Sequence, residues 1–142
     1  MDIKARVLEV LEKTHLMSLA TVDDGGAWVS DVIFIYDDDL NIYWMSDPDV
    51  RHSKAILKNR KVAGTITETT RSKTPNFGIQ FSGIAEKIDK ARYDLACKHY
   101  EKRGKAKPKE NEDILDGDSW YKLIPTKIEL IDEENFGFES KL

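Results

Sequence analysis

The 142-residue chain has a formal net charge of −4, and 40% of its residues are hydrophobic. This composition fits a globular protein and argues against a dedicated nucleic-acid binder, which usually carries a basic stripe. The chain has one cysteine, Cys97, and no run of about 18 apolar residues. We therefore expect a cytoplasmic protein with no membrane span and no intrachain disulfide.

The first element is a predicted helix over residues 3–12, which follows Asp2, a favoured N-cap residue. Runs rich in β-branched and aromatic residues then predict six strands, at 15–22, 28–36, 41–45, 62–67, 77–88 and 120–131. Short Asp/Gly turns separate the first three strands, which predicts hairpin connections and an antiparallel sheet. The strand 28–36 is apolar on both faces apart from Ser30 and Asp31, which favours a closed sheet.

Two further helices are predicted, at 50–58 and 89–103, and residues 104–117 are predicted to be a mobile surface loop because they are rich in charged residues. Pro125 lies inside the last strand and predicts an irregularity or an edge there. The pattern as a whole predicts one domain over residues 1–142, mainly β with flanking helices, in the form of a six-stranded antiparallel barrel.

The segment from Met45 to Lys54 carries the chemistry. It joins a strand end to a helix start, where free backbone N–H groups give a partial positive charge. Arg51, His52 and Lys54 nevertheless lie in or beside the first turn, with Ser46 and Ser53 as further donors. A bound phosphate would satisfy all of these groups. The alternative is that they are solvated side chains on a charge-rich surface.

Gly64 and Gly83 interrupt strand patterns, which indicates either barrel corners or a close approach to a flat ring. Trp28, Trp44 and Trp120 either stack on such a ring or, as we expect for most of them, fill the interior and an interface. The acidic run Asp37-Asp38-Asp39 is interpreted as a solvated turn, so no metal site is predicted.

Several of these pieces, in this order, resemble the pyridoxamine 5′-phosphate oxidase-like, FMN-binding split-barrel superfamily. They are Leu-Ala-Thr-Val at 19–22, the Asp/Gly turn, Ile-Tyr-Trp-Met-Ser at 42–46, Arg51-His52, and Val-Ala-Gly-Thr at 62–65. Gly-Ile-Gln-Phe at 78–81 with Gly83, and Phe-Gly-Phe at 136–138, resemble a small bacterial branch of it.

The resemblance implies a homodimer with FMN at the subunit interface. The phosphate would be held by Arg51 and His52, with Ser46 beside Met45 as a phosphate or ribityl contact and Ser53 and Lys54 nearby. The second strand would pass the isoalloxazine through the backbone of Ser30, Asp31 and Val32. Gln80 and the tail near Phe138 would come from the partner subunit.

The chain also departs from that pattern. Asp31 and Tyr36 stand where the oxidase has an Arg and a Lys, and His52 replaces the Lys of its basic pair. Pyridoxamine-phosphate oxidation is therefore not expected, and no catalytic residue is assigned. We expect a flavin-dependent oxidoreductase. The alternatives are a non-catalytic flavin binder or sensor, or a split barrel that binds haem or the deazaflavin F420. For haem the available histidines are His15, His52 and His99, the last predicted to lie on the surface.

Overall fold

A computed structural model describes residues 2–68, 75–136 and 140–141. The helices are α1 (Ile3–Lys13), α2 (Arg51–Lys58), α3 (Tyr93–Lys102) and α4 (Glu133–Phe136). The strands are β1 (Leu16–Asp23), β2 (Gly26–Tyr36), β3 (Ile42–Ser46), β4 (Lys61–Thr67), β5 (Phe77–Ile88), β6 (Ser119–Asp132) and β7 (Ser140–Lys141). All six predicted strands and all three predicted helices are present.

Six antiparallel strands form a closed barrel. They are hydrogen-bonded in the order β3-β2-β1-β4-β5-β6, and β3 also pairs with β6 to close the sheet. Only the first part of β6 takes part in this closure, from Ser119 opposite Ser46 to Leu123 opposite Ile42. Farther along, Glu129 and Leu130 pair with β7 instead. The predicted antiparallel split barrel is therefore confirmed.

The predicted irregularity at Pro125 is also confirmed. On β5, Ser82 lies opposite Lys127 and Gly83 lies opposite Pro125, so that the register shifts by one residue. Proline has no N–H for the ladder, and a bulge lets the strand accommodate it. A Cβ atom on Gly83 would overlap with the carbonyl oxygen of Ile124 and lie 3.0 Å from the Cα of Pro125. Glycine is therefore required by the close approach of two backbones.

Inward-facing apolar side chains fill the barrel. The largest of those with no exposed surface is Trp44, which stacks on the Tyr121 ring across the β3–β6 closure at 5.8 Å between centroids. Trp120 is equally buried and lies in a second cluster with Leu95 and Ala96 of α3. Two of the three tryptophans therefore pack inside, as predicted, whereas Trp28 is 44% exposed.

The helices cover the barrel. α1 begins at the predicted N-cap, since an Asp2 carboxylate oxygen accepts from the Lys4 backbone N–H at 3.0 Å. α3 begins at Tyr93, four residues later than the predicted start at 89, because Arg92 takes a left-handed conformation (φ 47°) that a helix does not include. Within the described residues, no helix has the length and apolar character needed to cross a membrane.

One outer surface of the barrel is apolar and uncovered in this chain. Leu16 lies directly opposite Ile33, and Val22 and Val29 lie on the same side of the β1–β2 ladder. These four residues, here called the outer apolar face, are 53%, 37%, 47% and 61% exposed respectively. Their neighbours along β1, Met17 and Leu19, point inward and are fully buried. The apolar residues on one face of β2 thus lie in the barrel interior, and those on the other face lie on the exposed outer surface.

Gly83→Ala tests the backbone approach at the bulge. We expect the added methyl group to force apart β5 and β6 and to lower the free energy of unfolding by about 2 kcal/mol, the scale of overpacking in a filled interior. Ser82→Ala is the matched control, because Ser82 already carries a Cβ on the neighbouring position. Equal urea midpoints for the two variants would contradict the steric requirement.

Candidate functional site

A cleft of about 410 Å³ lies between the β1–β2 turn and α2. It is lined by Asp23, Asp24, Gly25, Arg51, Lys54, Ala55 and Lys58. The strand order explains its position, because α2 follows β3 directly and packs back across β1. The predicted chemistry-bearing segment therefore reaches the first hairpin of the chain.

The start of α2 is built without a side-chain cap. Asp47 organises the turn after β3, accepting from the Asp49 backbone N–H at 2.8 Å. The N-cap residue is Val50, whose side chain has no polar atom to offer to the helix. The free N–H groups of this helix start therefore keep their attraction for an anion.

Arg51 is fixed by the hairpin turn. Its Nε and Nη2 donate to the two carboxylate oxygens of Asp23 at 2.9 and 3.0 Å, and its Cζ lies 4.4 Å from the Trp28 ring centroid. A Cβ on Gly25 would lie 2.9 Å from Nη2, so the glycine leaves room for the guanidinium. The pairing lowers the pKa of Asp23 and raises that of Arg51, so both groups stay charged. Nη1 takes no part in this pair.

Two lysines extend the positive charge along the cleft. Lys54 and Lys58 are one helical turn apart and both are exposed, with the small residue Ala55 between them. Together with Arg51 they give three cations against the carboxylates of Asp23 and Asp24, and Asp23 is already paired with Arg51. The arrangement can hold a phosphate-sized anion by charge and by N–H donation.

His52 contributes a hydrogen bond to this region. Its Nε2 lies 3.0 Å from the Ser46 Oγ, and burial lowers the pKa of the half-buried ring. His52 is therefore neutral at pH 7, and the cations beside Arg51 are Lys54 and Lys58. Ser53 is in the same helical turn but has no exposed surface, and its hydroxyl has no hydrogen-bond partner among the described residues.

The other predicted cofactor residues do not line the cleft. Met45 packs at the edge of the Trp120 cluster, Val32 lies in the barrel core, and Ser30 is half-buried on the inward side of β2. Asp31 and Gln80 are exposed on β2 and β5. Of the predicted residues, the structure thus brings Arg51 and Lys54 together in the cleft, and it pairs Ser46 with His52 outside the residues that line it. Phe138 lies outside the described residues.

Two β2 positions that depart from the oxidase pattern are already engaged. The Asp31 carboxylate accepts from Ser18 Oγ at 2.7 Å, and the Tyr36 hydroxyl donates to the Glu12 carboxylate. Sequence reasoning did not assign Asp23, Gly25 or Lys58 to the site. Lys58 follows Lys54 at helical spacing and could have been found, whereas the Asp23–Arg51 contact joins residues 28 positions apart.

The prediction for His99 was wrong. The side chain is only 4% exposed, because α3 turns Leu95, Ala96 and His99 toward the barrel. Its ring meets Trp120 edge-on at 5.9 Å, and Nδ1 has no partner among the described residues. Burial, helped by the charges of Arg103, Lys102 and Lys105, lowers the pKa of His99 to about 4.

Comparison with known proteins places the chain in a family context. Residues 3–132 match the family model of pyridoxamine 5′-phosphate oxidase. A UPF0306 protein from Cronobacter sakazakii is 26% identical over 104 residues, which cover 72% of this chain and 72% of that protein.

Two solved structures show how widely the fold is shared. A conserved hypothetical protein from Mycobacterium tuberculosis has a TM-score of 0.80 at 14% identity, covering 97% of this chain and 89% of its own. HutZ, the heme storage protein from Vibrio cholerae, has a TM-score of 0.63 at 21% identity, covering 88% of this chain and 91% of its own. At these identities the likeness concerns the fold alone.

The burial of His99 makes the stability of the protein pH-dependent. The unfolded chain binds a proton at His99 below its ordinary pKa of 6.5, whereas the folded chain does so only near 4. Stability is therefore lost as pH falls from 6.5 to 4. Between pH 7 and 4.5 we expect the unmodified protein to lose roughly 2 kcal/mol more than His99→Phe, measured by urea unfolding at each pH. Parallel plots of the free energy of unfolding against pH for the two proteins would contradict this prediction. They would show that His99 binds a proton as readily in the folded protein as in the unfolded chain.

Proposed function

The chain belongs to the pyridoxamine 5′-phosphate oxidase family, and from that premise we propose that it is a homodimeric FMN-binding protein acting as a flavin-dependent oxidoreductase. The observation that carries the proposal is the cleft beside α2. Three cations line it along α2, from Arg51 at the uncapped helix start through Lys54 to Lys58 at the helix end. This donor set fits a phosphate monoester.

Each residue of the cleft has a distinct part in this proposal. Asp23 keeps the guanidinium of Arg51 in one orientation, so that little side-chain freedom is lost when a phosphate binds. Lys54 and Lys58 add exposed ammonium donors, whereas Ser46 and His52 bond to each other outside the residues that line the cleft. When bound, FMN supplies the electron or hydride transfer, and the protein supplies binding and orientation.

The substrate is not pyridoxamine phosphate in this proposal. The two β2 positions at which the oxidase has cations carry Asp31 and Tyr36, and both side chains are hydrogen-bonded inside this chain. A binder without turnover would use the same cleft. Reduction of the bound flavin by NADH or NADPH, followed by reoxidation by an added acceptor, separates an oxidoreductase from a flavin store or sensor.

The outer apolar face supports the homodimer. Its four residues, Leu16, Val22, Val29 and Ile33, lie on two adjacent strands and expose between 37% and 61% of their surface. They flank the hydrogen-bonded pair Ser18–Asp31 on the same side of the ladder, and exposed apolar side chains grouped around a polar contact are typical of protein interfaces. A second copy seated on it would remove these side chains from water and would bring two barrels together, as the family arrangement of the cofactor requires.

Haem is the second candidate ligand, favoured by the structural likeness to the heme storage protein HutZ. His99 is too deeply buried to reach a ligand, whereas His15 is exposed and His52 is half-buried at the start of α2. A Soret band after haem addition that disappears in His52→Ala or His15→Ala, in a protein that takes up no FMN, would favour haem.

Arg51→Ala tests the phosphate site. We expect the FMN dissociation constant to rise roughly 10- to 100-fold, the scale of one lost charge-assisted hydrogen bond to an anion, in a titration of flavin fluorescence. Riboflavin, which lacks the phosphate, should bind equally well to the unmodified protein and to the variant.

Lys4→Ala is the control, because it removes one exposed positive charge from α1, outside the cleft. It should leave FMN affinity within about twofold, as expected for a distant charge in physiological salt. If Arg51→Ala weakens the binding of riboflavin as much as the binding of FMN, or leaves both affinities unchanged, the phosphate is not held at Arg51.

Val29→Lys tests the dimer. A lysine at the most exposed position of the outer apolar face places a charge where a partner would exclude water, and we expect sedimentation velocity to show a monomer with reduced flavin retention. Leu57→Lys is the matched control, because Leu57 is 64% exposed and lies on α2, outside the β1–β2 ladder that carries that face. A dimer that survives Val29→Lys would place the interface elsewhere.

A further inference from the structure

A second cavity lies on another side of the barrel, where the end of α1 meets the end of β2 and the last turns of α3. Its volume is about 520 Å³. It is lined by Glu12, His15, Ile35, Tyr36, Asp38, Lys98, Glu101 and Lys102. None of these residues lines the cleft beside α2. The proposed function makes no use of this cavity, although seven of its eight side chains are polar.

The two lysines of the cavity have different environments. Lys98 is exposed and donates to the backbone carbonyl of Tyr36 at 3.2 Å. Lys102 is half-buried: its Nζ donates to the carbonyl of Leu11 at 3.2 Å and lies 3.6 Å from the centroid of the buried Phe34 ring. The ammonium group of Lys102 therefore contacts one carbonyl oxygen and the face of one aromatic ring. Among the described residues, no carboxylate is in direct contact with it.

These surroundings change the acidity of Lys102. Burial lowers its pKa to about 8, against the opposing effect of the Glu12 charge. The lowered pKa makes a larger fraction of the Lys102 amine neutral near pH 7.5 than in an ordinary lysine, and the neutral amine is the nucleophile.

The ring of a tyrosine, Tyr36, lies near this amine. The ring centroid of Tyr36 is 5.9 Å from Lys102 Nζ, and its hydroxyl donates to the Glu12 carboxylate. Burial and the Glu12 contact raise the pKa of Tyr36, so that the phenol keeps its proton at neutral pH. The cavity thus combines a nucleophilic amine with a protonated phenol that is held in place by a carboxylate.

We propose that this cavity is a second small-molecule site, in which the amine of Lys102 forms a reversible imine with a small aldehyde. The lone pair on Nζ forms a bond to the carbonyl carbon as the C=O π bond breaks, and one of the two amine protons passes to the oxygen to give a carbinolamine. The C–O bond then breaks as the C=N bond forms, and the hydroxyl leaves with the second amine proton as water. The step needs no oxidant or reductant, and water reverses it.

The charges of the cavity select among aldehydes. Glu12, Asp38 and Glu101 supply three carboxylates, which outnumber the two lysines of the lining, Lys98 and Lys102. An anionic aldehyde would meet these carboxylates, so the ligand class is uncharged or cationic. The one apolar lining residue, Ile35, and the volume of the cavity suit a short carbon chain.

Reductive trapping tests the proposal. Protein at pH 7.5 is incubated with propanal and sodium cyanoborohydride, and the propylated lysines are mapped by mass spectrometry. We expect Lys102 to be labelled about tenfold faster than Lys98, although Lys98 is more exposed, because the lowered pKa of Lys102 makes more of its amine neutral and the cavity holds the aldehyde beside it. The labelling rate at Lys102 should saturate with propanal concentration, as binding in a cavity requires.

Lys102→Arg is the main variant, because arginine keeps a donor for the Leu11 carbonyl but forms no imine, and a thermal melt confirms that it folds. It should abolish the fast, saturable labelling, whereas Lys98→Arg, the matched control, should leave it unchanged. Labelling that follows exposure, with Lys98 ahead of Lys102, or a rate at Lys102 that stays linear in propanal, would overturn the proposal. Neither result depends on flavin binding, which is measured separately at Arg51.

Discussion

The hydrogen-bonded pairing of β3 with the first part of β6 closes the barrel, and the positions of the helices and of both concave sites depend on it. β3 is only five residues long, Ile42–Ser46, yet it joins both ends of the sheet and stacks Trp44 on Tyr121 across the seam. The chain leaves β3 directly into the turn at Asp47 and into α2. Closure of the barrel therefore fixes the start of α2, and with it Arg51 and the two lysines that follow.

Much of the fold follows from local pattern. Alternating and doubly apolar strands, the N-cap at Asp2 and the irregularity at Pro125 were predictable because each depends on a few neighbouring residues. The contacts that complete the cleft were not predictable, since Asp23 and Arg51 are 28 positions apart and meet only in the barrel. The error over His99 has a related cause. Charged residues both precede and follow His99 in α3, and only the packing of the helix shows which of its faces is buried.

The two concave sites of the barrel differ in physical character. In the cleft beside α2 the cations stay exposed or are paired with a carboxylate, which suits the recognition of a mobile, solvated anion. In the cavity beneath α3 an amine is withdrawn from water and loses part of its basicity. Lysine thus occurs in two settings in this fold: exposed in the cleft beside α2, and half-buried with a lowered pKa in the second cavity.

The three tryptophans differ in their exposure to solvent. Trp44 and Trp120 have no exposed surface, whereas Trp28 is 44% exposed and lies under the Arg51 guanidinium at the edge of the cleft. A water-soluble collisional quencher therefore reaches one indole of the three directly, and that indole is the one beside the proposed phosphate site. The intrinsic fluorescence of the unlabelled chain is consequently a built-in reporter of events at the α2 cleft, with two internal tryptophans as its constant background.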